Sequence, residues 1–415
     1  MQLDAFAAAA LEELRAAGLL RQLRSVAGPQ GPRIVVDGHE VVNFSSNDYL
    51  GLANDPLLRE AAVRAIERYG VVAGASRLVC GNLAPYEELE ARLAAFKGKE
   101  AAVVFGSGYA ANVGTICALV GKGDTVILDK LDHASIVDGA RQSGATIRVY
   151  PHGDLNKLEK LLKQSRTGVS PVPSLKAGEV GQAGRLSYSG HTLIVTETVF
   201  SMDGDLAPLR EIVELKERYG AWLMIDEAHA TGLYGKRRRG VAEALGVEDR
   251  VDVTVGTLSK ALGCVGGFVC GSRALVDLLV NRARSLIYST ALPPAMVAAA
   301  SAAVEFVMGG GGEARCGELW RRVRELRGGL GEQSRSGVPP DQSSEMSSPI
   351  IPLLLGDEAR AVECSQRLFE RGFFAPAIRY PTVARGAARL RLTVTAAHTS
   401  EQAKLLIKAL SESDC

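Results

Sequence analysis

The sequence predicts an α/β fold: a mostly parallel central sheet covered on both faces by helices, with a smaller α+β module near the C-terminus. Three observations carry this. From about residue 57, short Val/Ile-rich runs alternate with helical runs, the pattern of βα units with strands buried on both faces. The 415 residues are 47% hydrophobic and 23% charged, enough for a large core and more than one domain. From about Ser347 the composition shifts to "SPIIPLLLG", "EARAVECSQRLFERG", "FFAPAI" and "RLRLTVTAAH", a separate α+β module. The expected boundaries are 1–45 for an N-terminal helix and hairpin, 46–295 for the large domain and 296–415 for the small one.

Each element has a local reason. Leu3, Phe6, Leu11 and Leu14 share one face of an N-terminal helix. Its acidic residues Asp4, Glu12 and Glu13 argue against a signal peptide. "RIVVDGHEVVNF" reads as a hairpin turning at Asp37-Gly38. "PYEELEARLAAFKG" is a helix stopped by Gly98. "EAAVVF" is a strand followed by the turn and helix "GSGYAANVGTICALV". "DTVILD", "TIRVYP", "HTLIVTETV", "AWLMID", "DVTVGTL" and "GGFVCG" are further strands, with the helix "HASIVDGARQSG" after the first of them. A Pro/Gly/Ser-rich insertion at about 164–190 reads as a surface loop without catalytic duty.

Composition excludes several classes. Lys+Arg total 48 against 47 Asp+Glu, so bulk charge selects neither nucleic acid nor membrane as a partner. The run Lys236-Arg237-Arg238-Arg239 reads as a solvated loop. Seven scattered cysteines without a CxxC pair suit a reduced, cytoplasmic chain with no disulfide framework and no metal site. No apolar stretch approaches the ~18 residues of a membrane span.

"GSGYAA", Gly106–Ala111, fits G-x-G-x-x-A between a strand and a helix, and Asp129 ends the next strand. That is compatible with a dinucleotide site. It is equally compatible with any phosphate held by backbone N–H groups at a helix N-terminus. No G-x-x-x-x-G-K-[ST] motif is present.

Four strand ends carry polar groups: His133 in "DHAS", Glu197 and Ser201 in "TETVFSMDGD", Asp226 and His229 in "MIDEAHATG", Thr257 and Lys260 in "TLSKALG". Ligands of open α/β sheets bind beyond the carboxyl ends of the strands. An anion cradle, a carboxylate for a ring nitrogen, an imidazole to stack and one lysine among apolar neighbours describe a pyridoxal phosphate site. The lysine forms a Schiff base, and the carboxylate keeps the pyridine protonated.

These strings, together with "NFSSNDYLGL", "GASRLVCGN", "GSGYAAN" and "IYSTALPP", resemble those of the α-oxoamine synthases. These are fold-type I, aspartate-aminotransferase-like pyridoxal phosphate enzymes. The resemblance runs nearly end to end. It implies that Lys260 is the Schiff-base lysine and proton carrier, that Asp226 pairs with the pyridine nitrogen, and that His133 stacks on the ring. It implies His229 at the ring oxygen, Gly108, Tyr109 and Thr257 at the phosphate, and Ser201 at the ring. Arg379 in "AIRYPTV" matches the arginine that grips the amino-acid carboxylate. Arg21, Asn47, His133 and Thr382 match substrate contacts. The implied reaction is decarboxylative condensation of L-alanine with a pimeloyl thioester of coenzyme A or acyl carrier protein. The implied assembly is a homodimer with the site at its interface. "YPTVA" departs from the "PPTVP" of the alanine-using branch towards the glycine-using 5-aminolevulinate synthases. Another glycine-using branch, the 2-amino-3-ketobutyrate ligases, is the remaining relative.

Overall fold

The computed structural model describes residues 2–166, 190–331 and 346–413; most of the 164–190 insertion lies outside them. The chain divides into two compact units. The smaller comprises residues 1–54, 201–205 and 315–415, the larger 55–200 and 206–314. The N-terminal segment and the C-terminal module thus share one unit.

The strands, in chain order, are β1 Val26–Ala27, β2 Arg33–Val36, β3 His39–Asn43, β4 Ala101–Phe105, β5 Thr125–Asp129, β6 Thr146–Tyr150 and β7 Thr192–Glu197. They continue as β8 Trp222–Asp226, β9 Val253–Thr257, β10 Gly267–Gly271, β11 Ile350–Gly356, β12 Phe373–Phe374, β13 Ala377–Ile378 and β14 Ala388–Thr393.

In the larger unit seven strands run in the order β4-β10-β9-β8-β7-β5-β6. All neighbours are parallel except β10, which is antiparallel to both β4 and β9. Every residue of β4, β9 and β10 is buried, as continuous apolar runs require when helices cover both faces. Val103, Phe105, Ile116, Leu128, Val195, Met224, Val255 and Val269 form part of one core. Full burial of each large side chain contributes about 1.5–3 kcal/mol relative to exposure.

In the smaller unit β2 and β3 form the expected hairpin. Asp37 and Gly38 take φ 49° and 84°, the left-handed conformations a two-residue turn needs. β3 then pairs in parallel with β12, which ties the N-terminal segment to the C-terminal module. β11, β14 and β13 form a separate antiparallel sheet. The helix Gln2–Ala16 forms but buries none of its residues.

Two expectations are corrected. The basic run is not simply solvated. Arg238 is buried with φ 60°, and its guanidinium donates to the carbonyls of Val307, Met308 and Gly309. The C-terminus of the helix Pro294–Met308 leaves carbonyls unpaired, and an arginine supplies the donors. The cysteines are not all reduced: Cys80, Cys117, Cys264, Cys270 and Cys316 are thiols, but Cys364 is in a disulfide. Among the described residues, no single helix is long and apolar enough to cross a membrane.

Candidate active site

Register brings the strand ends of the larger unit to one edge. Gly267 at the start of β10 pairs with Phe105 at the end of β4 and with Thr257 at the end of β9. Asp226 pairs with Val255 on one side and Glu197 on the other. Asp226 and Glu197 therefore project on the same face of adjacent strands. This edge collects Ser107, Gly108, His133, Glu197, Asp226, His229, Thr257 and Lys260.

The glycine loop opens the helix Gly108–Leu119, with Ser107 as its N-cap; Ser107 Oγ accepts from Ala110 N at 3.0 Å. A Cβ on Gly267 would lie 2.5–2.6 Å from Ser107 O and Gly108 N. Only glycine lets β10 pass this close to the helix start. Thr257 Oγ1 donates to Gly266 O at 2.9 Å. Ser259 Oγ, 2.7 Å away, is consequently the donor to Thr257 Oγ1. Tyr109 is half exposed, and its hydroxyl donates to Asp138 Oδ2 at 2.8 Å.

Asp226 is buried; Oδ1 accepts from Ala228 N at 2.8 Å and Oδ2 from Asn112 Nδ2 at 2.7 Å. These two bonds leave lone pairs on the carboxyl oxygens for a further donor. Beside it, burial and the Asp226 charge push the Glu197 carboxyl up to about 8, with Lys260 opposing. Glu197 Oε1 has no hydrogen-bond partner among the described residues. His133 is the N-cap of the helix Ala134–Ser143, its Nδ1 accepting from Ser135 N at 3.2 Å. Much of the residue is open to solvent, yet enough protein surrounds the ring that burial lowers its pKa. Asp226 raises it, and Lys260 adds to the lowering. Lys260 is half-buried in the loop after β9, and His229 is buried in the loop after β8.

A buried pair holds that second loop. Lys97 Nζ lies 2.8 Å from both Glu227 Oε2 and Thr231 Oγ1 and also donates to Arg239 O. Glu227 Oε1 accepts from Ala242 N at 2.9 Å. Gly240, at φ 144°, packs so closely that a Cβ would lie 2.0 Å from a Glu227 oxygen.

The other predicted residues, Arg21, Asn47, Ser201, Arg379 and Thr382, belong to the smaller unit. Arg379 donates to Gly18 O at 2.5 Å and Leu20 O at 2.9 Å. Arg21 Nη2 reaches Tyr380 O at 3.4 Å and Thr382 Oγ1 at 3.5 Å. Arg391 bonds Ser201 O at 2.5 Å and, with both Nη atoms, Asn47 Oδ1 at 3.1 Å. Arg389 takes Asp203 at 2.5 Å. The two buried arginines thereby attach residues 201–203 to β14.

Sequence reasoning assigned no role to Asn112, Ser135, Lys97, Arg389 or Arg391. Alternating arginines in "RLRLT" were a legible signal, because a charged residue at every second position of a buried strand needs partners.

The donor set fits pyridoxal phosphate. A helix N-terminus stands ready for an anion, and a buried carboxylate has acceptor capacity left for a protonated ring nitrogen. Asp129 does not fit a dinucleotide ribose: it is buried and accepts from Leu131 N, Gly153 N and His152 Nδ1 at 2.8–3.1 Å.

A family model for aminotransferase class I and II matches residues 39–410. The chain belongs to that family. Among its relatives is an 8-amino-7-oxononanoate synthase of Geobacter sulfurreducens, 48% identical over 97% of this chain and 96% of its own length. The aminotransferase-family fold is shared with the serine palmitoyltransferase of Sphingomonas wittichii, at TM-score 0.85, 32% identity and coverage of 99% and 97% of the two chains. It is shared too with the 8-amino-7-oxononanoate synthase of Francisella tularensis, at TM-score 0.70, 27% identity and coverage of 90% and 97%.

Proposed function

We propose that the chain is a pyridoxal phosphate-dependent acyltransferase. It condenses L-alanine with a pimeloyl thioester of coenzyme A or acyl carrier protein. The products are 8-amino-7-oxononanoate, the free thiol and carbon dioxide, in biotin biosynthesis. The observation that carries the chemistry is the single sheet edge gathering a helix N-terminus, His133, Asp226 and Lys260. The choice of substrates rests on relatives named 8-amino-7-oxononanoate synthase at 45–48% identity and 97% coverage.

Bound pyridoxal phosphate supplies an electron sink for the pair left at the alanine Cα. The chain's residues do the rest. Lys260 would hold the aldehyde carbon and is the base placed to take the Cα proton. Asp226, already accepting two hydrogen bonds, would face the ring nitrogen. His133 would cover the ring, with His229 at the ring oxygen and Ser201 at the ring. Gly108, Tyr109 and Thr257 would hold the phosphate. Arg379 exchanges two neutral carbonyls for the alanine carboxylate, a stronger, charge-assisted partner. Arg21, Asn47 and Thr382 contact substrate. The Cα pair bonds to the acyl carbonyl carbon and the thiolate departs, taking a proton. The carboxylate is then lost as carbon dioxide, and a proton replaces it at Cα.

The chain acts as a homodimer with the site at its interface. Val71, Val72, Leu78, Val79 and Tyr288 are 56–77% exposed. Their segments adjoin through the Ser76–Thr290 bridge and the Ala291 N to Ala75 O bond. Apolar surface of this kind marks an interface. Five thiols among the described residues, against one cysteine in a disulfide, support a cytoplasmic location.

The test is thiol release by the loaded protein, with alanine and glycine each crossed with pimeloyl-, succinyl- and acetyl-CoA. Alanine with pimeloyl-CoA is expected to dominate. A preference for glycine with succinyl- or acetyl-CoA overturns the assignment.

A further inference from the structure

We propose that Asn112 and Ser135 are positioning residues that hold His133 as one neutral tautomer, protonated on Nε2 and bare on Nδ1. The proposal deepens the functional reading above, in which His133 covers the cofactor ring, and it rests on a count of hydrogens along one chain of contacts.

Asn112 is buried in the helix Gly108–Leu119. Its Nδ2 lies 2.7 Å from Asp226 Oδ2 and 2.9 Å from Ser135 Oγ. Turning the amide over would set Oδ1 against a carboxylate oxygen at that distance, with two acceptors facing each other. The nitrogen must therefore face Asp226, and both its hydrogens are used. Among the described residues Oδ1 has no hydrogen-bond partner, so the side-chain bonds this amide makes there come from Nδ2.

Ser135 Oγ consequently accepts from Asn112. Its own single hydrogen goes to its other neighbour, His133 Nδ1 at 2.7 Å. The Ser135 backbone N–H is aimed at the same nitrogen from 3.2 Å. Two hydrogens directed at Nδ1 leave no place for a third, so the ring's own proton sits on Nε2. Protonating the ring would turn Nδ1 into a donor, break the bond from the Ser135 N–H and force the Ser135 hydroxyl to turn from donor to acceptor.

The charged groups around His133 come from four elements. Asp226 on β8 and Asp138 on the following helix favour the imidazolium; Lys260 after β9 opposes it. Glu197 ends β7 beside Asp226, and its carboxyl is influenced by the nearby His133 backbone. Burial acts with Lys260, and the ring's pKa is lowered despite two nearby carboxylates. The result suits the chemistry. A neutral ring adds no second cation beside Lys260 and keeps one N–H donor for a substrate oxygen. The same chain ties the helix that begins at the glycine loop to the helix capped by His133 and to the end of β8.

The experiment is NMR of the full-length chain without pyridoxal phosphate. His133 is assigned by the signal lost in His133→Gln. Its Nδ1 should show the ¹⁵N shift of an unprotonated nitrogen. Ser135→Ala and Asn112→Leu should each raise the protonation constant of His133 about tenfold, the scale of one net hydrogen bond. The double variant should shift it no further than either single change, because both interrupt one chain. Unmoved midpoints, additive shifts or a protonated Nδ1 overturn the proposal. If Asn112→Leu does not fold, the smaller truncation Ser135→Ala decides alone. Neither readout uses cofactor or turnover. A chain that keeps the tautomer yet fails to condense alanine with a thioester refutes the functional reading and leaves this inference standing.

Discussion

The two units hold their polar groups in different ways. In the larger, Asp226 and Glu197 end adjacent parallel strands in register, and Thr257 ends the next. A sheet ladder sets their spacing before any side chain makes a bond. In the smaller, Arg379 follows the two-residue strand β13 and is held by carbonyls of residues 18 and 20. Its position comes from replaceable hydrogen bonds between distant segments. On the proposed function, the difference teaches that a covalent, proton-moving centre is built on rigid strand ends, while a substrate carboxylate is met by groups with weaker ties to exchange.

The sharpest way to separate the units is to remove one group from each. Lys260→Ala should lower kcat by about 10³-fold or more, since nucleophile and proton carrier are lost together. Its thermal unfolding midpoint should stay near wild type; a variant with near-normal turnover would break the assignment.

Next in size is the buried pair supporting the larger unit. Lys97→Met leaves Glu227 buried and uncompensated and should cost about 3–5 kcal/mol in denaturant unfolding. Lys97→Met with Glu227→Leu should recover most of that loss. A single variant as stable as the wild type would show that the loop after β8 does not depend on this pair.

Arg379→Ala probes the smaller unit. It should raise the KM for alanine about 10- to 100-fold, with a smaller effect on kcat, because a charge-assisted bond to the carboxylate is removed. Equal losses in kcat and kcat/KM would mean that Arg379 acts mainly in the transition state.

Two further effects oppose each other in pH. Burial lowers His398, in the smaller unit, to about 4. The unfolded chain binds that proton first, so stability is lost as pH falls from about 6.5 towards 4. Glu197, in the larger unit, is raised to about 8. The folded chain keeps that proton longer, so stability is lost as pH rises from about 4.5 through 8. Calorimetry of the cofactor-free chain should show His398→Gln flattening the acid side and Glu197→Gln the alkaline side. Slopes unchanged by both variants would end the contrast.

Much of this was legible in residue order. Apolar runs marked the strands, and their polar endings marked the candidate site, because open α/β sheets present ligand groups beyond strand ends. Asp226, His133 and Lys260 were named from that rule and from the family's strings. Asn112 and Ser135 stood inside quoted strings but were silent, since a buried amide declares itself only through what it touches. Arg238 was misread as solvated because a charge run does not reveal the helix end packed against it.

The sequence by itself determined the alternation of strand and helix, the hairpin at Asp37-Gly38 and the residue types for the chemistry, all of which depend on neighbours within a few positions. Tertiary structure alone decided that Glu197 lies beside Asp226, that two arginines on β14 claim residues 201–203, and that Asn112 links Asp226 to Ser135. Those outcomes depend on register and on donor counts between segments more than 20 residues apart, and no local pattern encodes them.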